Sequence, residues 1–158
     1  MDPRRIPLKA ALTNANMRAF LRAIRLGEGT SDEGGYRRVV GGGMFMDYAE
    51  HPNRRVWIER YKVWSSAAGA YQMIGPTWRG LVKQYGFPDF TPECQDEAAV
   101  ALIIEVRALE DAKAGRLEAA VAKCSKLWAS LPGSQAGQRT EAFASVQKVY
   151  TENGGVLA

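Results

Sequence analysis

The chain has 158 residues and a net charge of +4, with 46% of its residues hydrophobic and 24% charged. That balance fits one folded domain and excludes a disordered or fibrous chain. No stretch approaches the ~18 uncharged apolar residues of a membrane span, and Met1–Leu12 lacks the apolar block of a secretory leader, so no stable membrane insertion and no signal peptide are expected. The basic excess, 21 Lys and Arg against 17 Asp and Glu, is mild and only admits an anionic partner. Cys94 and Cys124 have no metal-type spacing and His51 is the lone histidine, which argues against a zinc site and a Cys–His nucleophile.

The first helix is predicted from Asn14 or Asn16 to Leu26, with Met17, Phe20, Leu21 and Ile24 forming a half-buried stripe. Arg18, Arg22 and Arg25 fall off that stripe and are expected in solvent. Gly27 and Gly29 should break the helix on either side of Glu28. From Thr30 to Trp64 the chain turns glycine-rich and β-branched. Tyr36–Val40 and Arg55–Ile58 read as strands of a small antiparallel sheet, with Gly41–Gly43 as its turn or as a mobile loop.

After Trp64 the pattern is helical again. Ala70–Ile74 opens it, and Pro76 starts a helix carrying Trp78, Leu81, Val82 and Tyr85 that ends at Gly86. Thr91 and Pro92 start a long helix to about Glu110. Leu117, Val121, Cys124, Trp128 and Leu131 mark a helix face stopping at Pro132, and Phe143, Val146 and Tyr150 mark a last one ending at Gly154. The predicted class is α+β, mostly helical, with a small antiparallel sheet inserted after the first helix. Met1–Leu12 reads as an extension to a domain spanning residues 13–158.

Glu28 draws attention because it continues the apolar stripe, four residues after Ile24 and seven after Leu21. A carboxyl pointing inward at a helix C-terminus has its charged form disfavoured by burial and by the helix dipole. Its pKa then rises, which suits a general acid. The plainer reading is a helix-terminal glutamate that turns to water once Gly27 bends the chain. Position alone favours that plainer reading.

The surrounding residues shift the balance. Glu28-Gly29-Thr30, the glycine-rich segment after it, and Ser65 through Ile74 resemble the lytic transglycosylase and lysozyme superfamily. The pattern is most similar to the phage lambda-type endolysins. It runs through Phe20-Leu21, Tyr36, Val40-Gly41-Gly42, Phe45, Asp47-Tyr48, His51-Pro52, Ala68-Gly69 and Tyr71-Gln72. It continues in Asp89-Phe90, Gln95-Asp96, Cys124-Ser125, Trp128 to Gly133 and Gly137-Gln138, covering about Met17 to Gly155. Two departures stand out: the segment between Glu28-Gly29-Thr30 and Tyr36 is short, and Arg37 follows Tyr36 where that family carries an acidic residue.

The resemblance implies a lysozyme-like fold and cleavage of the β-1,4 bond between N-acetylmuramic acid and N-acetylglucosamine in peptidoglycan. Glu28 would act as the one catalytic acid, and the products would be 1,6-anhydromuramoyl glycans. No metal or organic cofactor is implied. Peptidoglycan glycan strands are the expected partner, no nucleic acid is expected, and the chain should act as a monomer. It should wait in the host cytoplasm until a holin opens the way to the wall.

Gln72, Tyr71, Ser66, Ser65, Tyr36, Asp47 and Gln138 are the expected substrate-binding residues. An amide can bond sugar hydroxyls or an N-acetyl group, and tyrosine offers an apolar face with a hydroxyl. Asp47 is also the best-placed second carboxylate for a two-carboxylate lysozyme, although a local backbone role near Tyr48 and His51 is favoured. Trp128 reads as core; Trp57, Trp64 and Trp78 read equally as core or sugar-stacking residues. Cys94 and Cys124 are expected as thiols, and His51 as a turn-stabilising residue. The alternatives are a hydrolysing lysozyme that uses water, a non-catalytic glycan-binding or virion protein on this scaffold, and, from charge alone, a nucleic-acid binder.

Overall fold

The computed structural model describes residues 1–133 and 141–158. Among these residues the chain forms α1 (Ile6–Ala11), α2 (Ala15–Glu28), α3 (Gly75–Tyr85), α4 (Pro92–Glu105), α5 (Leu109–Ala114), α6 (Leu117–Cys124) and α7 (Glu141–Glu152). One antiparallel hairpin pairs β1 (Val56–Ile58) with β2 (Val63–Ser65), and Trp57 faces Trp64 in its register.

The amphipathic stripe places α2 as predicted. Asn14 caps its start by accepting from Met17 N, and Met17, Phe20, Leu21 and Ile24 are buried. Helix α4 is instead buried nearly all round, at Cys94, Gln95 and Glu97–Ile103. Such a helix belongs at the centre, and α1, α3 and α5 pack against it while α7 and α5 flank α2.

Met1–Leu12, expected as an extension, folds onto this body. The Arg4 guanidinium donates to the carbonyls of Lys83 and Gln84 at the end of α3 (3.1 and 2.8 Å). Arg5 forms a buried ion pair with Glu97 of α4 at 2.8 Å, and Leu8 is fully buried.

Several local expectations fail for identifiable reasons. The helix α2 runs through Gly27 and ends at Glu28, so Gly27 does not break it. Arg25 is buried rather than solvated: its guanidinium donates to the Thr30 and Asp32 carbonyls and lies 4.4 Å from the Tyr36 ring centroid. Tyr36–Val40 is not a strand. Glu33–Arg37 is a 3-10 turn, and Arg38 and Val39 make only single bridges to Met44 and Ala68.

Ala70–Ile74 is not helical either. Ala68 and Met73 exchange both backbone hydrogen bonds across a tight loop in which Gly69 and Gln72 have positive φ. The long helix stops at Glu105, five residues short of Glu110, because Arg107 turns left-handed and Ala108 N bonds back to Ile103 O. The predicted face through Leu131 is helical only to Cys124; Trp128 and Leu131 reach the core through turns.

Candidate active site

Glu28 sits at the last residue of α2, where the helix closes in a Schellman turn. Gly29, at φ +72°, donates to Leu26 O, and Thr30 N donates to Arg25 O. The left-handed Gly29 swings the chain away and leaves the Glu28 side chain at the corner. Burial pushes the Glu28 carboxyl above its ordinary range, and a hydrogen bond from Ser130 Oγ to Oε2 partly opposes that shift.

Three contacts lock this corner to its surroundings. Ser130 reaches Glu28; Trp128 Nε1 donates to Tyr71 O at 3.0 Å; and Thr30 Oγ1 donates to Ala70 O at 2.5 Å. The segments 28–30, 70–71 and 128–130 therefore close a ring. Beside it, the fully buried Gln95 of α4 knits the loops together. Its Oε1 accepts from Ala70 N (2.9 Å), and its Nε2 donates to Tyr36 O and Phe90 O (3.0 and 2.8 Å). A buried amide with its donors and acceptor engaged holds irregular backbone where no sheet does.

The expected binding residues take varied places. Gln72 is half-buried at φ +50°, and its Nε2 donates to the carbonyls of Arg38 and Gly69 (3.2 and 2.9 Å). Tyr71 is buried, with 2% of its surface exposed, so its ring forms the wall rather than a sugar platform. The hydroxyls of Tyr71 and Tyr36 both donate to Asp96 Oδ1, at 2.6 and 2.8 Å. Burial beside that carboxylate pushes the Tyr36 phenol up to about 12 and raises Tyr71 well above its ordinary range. Neither tyrosine is a free hydroxyl for a ligand.

Ser66 Oγ accepts from Gly75 N at 2.8 Å and shapes the entry to α3, whereas Ser65 Oγ accepts from Ala67 N at 3.2 Å in a local turn. Asp47 is exposed and accepts from Ala49 N at 2.8 Å, a local turn. Gln138 lies outside the described residues.

His51 is buried in a turn. Nε2 meets Met73 O at 2.7 Å and Nδ1 accepts from Asn53 N at 2.9 Å. A carbonyl can only accept, so Nε2 carries the proton, and burial keeps the ring neutral by lowering its pKa. Cys94 and Cys124 are separate buried thiols. Trp78 and Trp128 are core, whereas Trp57 and Trp64 are exposed and face each other at 5.5 Å on the hairpin. A cavity of about 410 Å³ lined by His51, Trp78, Arg79, Phe87 and Asp89 does not include Glu28.

Sequence reasoning missed Ser130, Asp96 and Arg25 as partners of the site. The clue to Ser130 was available in Gly27, a glycine within a helical stretch.

Over most of its length the chain is similar to proteins of one kind. A family model described as Endolysin matches residues 18–157. An endolysin of Escherichia phage P2 is 37% identical over 92% of this chain and 97% of its own length. An endolysin of Escherichia phage lambda is 37% identical over 91% of this chain and 94% of its own. Two solved structures share the fold. A lysozyme from bacteriophage lambda superposes with a TM-score of 0.85 at 34% identity, and a bacteriophage lambda lysozyme complexed with a chitohexasaccharide with 0.82 at 36%. Each covers 92% of this chain and 97% of the relative.

Proposed function

The chain belongs to the endolysin family, and on that premise we propose that it degrades peptidoglycan with Glu28 as the one general acid and base. The bond cut is the β-1,4 link between N-acetylmuramic acid and N-acetylglucosamine. Glu28 protonates the departing glycosidic oxygen while the muramoyl N-acetyl group assists at the anomeric carbon. The resulting carboxylate takes the proton from the 6-hydroxyl of the same sugar, which closes a 1,6-anhydro ring. Because the nucleophile is tethered to the substrate, no water has to be positioned.

The observation that carries this reading is the placement of Glu28, at the half-buried end of α2 with one serine hydroxyl on Oε2. A carboxyl held partly out of water, its pKa raised chiefly by burial, keeps a proton to donate closer to neutral pH. Asp47, the alternative second carboxylate, is exposed and turned to the Ala49 amide. The lambda lysozyme solved with a chitohexasaccharide supports a glycan strand as the partner. The wall is the site of action, reached from the host cytoplasm after a holin has opened the membrane.

Mass spectrometry of muropeptides released from purified sacculi tests the reaction. Products lighter than muramidase products by one water, with ends that borohydride does not reduce, are expected. Mainly reducible, hydrated muropeptides would make the enzyme a hydrolysing lysozyme with the same acid.

A further inference from the structure

Gly27 is an unfavourable choice for its position. It lies inside α2 with ordinary helical backbone, where glycine is less favourable than alanine because it loses more conformational freedom on folding. The backbone does not require it, but the space does. A Cβ on Gly27 would come within 2.7 Å of Ser130 Oγ and 3.0 Å of Ser130 Cβ.

Ser130 cannot easily step aside. Two positions before it, Trp128 is buried with its indole donating to Tyr71 O at 3.0 Å. One position after it, Leu131 is buried and its amide donates to Trp128 O at 3.0 Å. An exposed serine is thus pinned between two buried anchors, against the bare side of the helix whose next residue is Glu28. From there its hydroxyl donates to Glu28 Oε2.

We propose that Ser130 is a positioning residue for the Glu28 carboxyl and that Gly27 is glycine so that Ser130 can reach it. The inference rests on Glu28 being the catalytic acid and adds a chemical consequence. An oxygen that accepts from the serine hydroxyl is the carbonyl-like oxygen of the neutral acid, so the transferable proton sits on Oε1. When Oε1 releases that proton to the glycosidic oxygen, the Ser130 bond is to a carboxylate and strengthens. Ser130 keeps its own proton throughout. Its contribution is therefore larger after proton transfer than before it, which is the sense that lowers the barrier.

The test compares wild type with Ser130→Ala, Gly27→Ala and the double variant, all checked for folding by circular dichroism. The Glu28 carboxyl is titrated by ¹³C NMR, and turnover is followed on soluble glycan strands. Loss of the hydroxyl removes a stabiliser of the ionised form, so the carboxyl titration and the alkaline limb of the pH profile move to higher pH in all three variants. The kcat falls about tenfold to a hundredfold with KM little changed, and the double variant is no worse than Ser130→Ala because both changes break one contact. An unmoved Glu28 titration in folded Ser130→Ala, or losses that multiply in the double variant, would overturn the proposal. Full activity in Glu28→Gln would instead overturn the assignment of the acid, an outcome separate from the titration.

Discussion

Two carboxyls near α2 are raised above their ordinary range by the same cause and held in opposite ways. Burial lifts both Glu28 and Asp96. Asp96 collects the hydroxyls of Tyr71 and Tyr36 on one oxygen and lines a cavity of about 210 Å³ with Arg18, Arg22 and Arg25. Glu28 stands at a helix corner with one serine hydroxyl. A raised pKa is therefore no mark of catalysis by itself. Asp96 organises the two tyrosines of the wall, whereas Glu28, in the proposed function, offers its other oxygen to the substrate.

The sharpest way to break this contrast is to neutralise each carboxyl in turn. Glu28→Gln should lower wall-lytic activity by ~10²–10⁴-fold with an unchanged circular dichroism spectrum. Asp96→Asn should keep most of its activity in the folded fraction. Equal losses in the two folded variants would give Asp96 a part in the chemistry.

Stability should reverse the ranking. Asp96→Ala strands two phenols, one of them fully enclosed, and should destabilise the fold by about 3 kcal/mol in denaturant titrations. Glu28→Gln should change little. The pH dependence follows the same logic. The folded state holds the Asp96 proton more tightly than the unfolded chain, whose value is near 3.8. The contribution of this group to stability is thus full below that value and is lost as pH rises through the raised folded pKa. Unfolding midpoints of Asp96→Asn should therefore decline less steeply with pH across that window, and an identical slope would refute the assignment.

The smallest effect is expected at Asp47. Its carboxylate serves one exposed turn, so Asp47→Asn should leave stability within about 0.5 kcal/mol and most of the lytic rate intact. A loss as deep as that of Glu28→Gln would install Asp47 as a second catalytic carboxylate.

What the sequence revealed divides along physical lines. The stripe of α2, the Thr91 cap of α4 and the Gly86 end of α3 are local signals, and all three are found in the fold. Glu28 drew attention because its phase on that stripe contradicts its charge, but only the endolysin resemblance set it ahead of a helix-end glutamate turned to water; the structure leaves it half-buried. Arg25 was not legible, since helical phase cannot foresee carbonyls delivered by the Thr30–Asp32 loop. The end of α4 was hidden because Arg107, not a glycine, adopts the left-handed turn. Tyr36–Val40 and Ala70–Ile74 take their shape from Gln95 and Asp96, which follow Tyr36 by 59 and 60 residues and Ala70 and Tyr71 by 25. Long-range side-chain bonds of that kind leave no periodicity to read.

The Arg5–Glu97 pair joins residues 92 positions apart, both enclosed. During synthesis the segment carrying Arg5 leaves the ribosome long before α4 exists to receive it. Until then Leu8 and the Arg5 guanidinium remain in water, and the segment must dock after the central helix has formed. The cations paired with Glu97, Arg5 at 2.8 Å and Lys9 at 3.7 Å, arrive together with that segment. An early-made segment thus serves as a late-arriving clasp, and anything fused or bound at that end during translation would delay the last stage of assembly rather than the first.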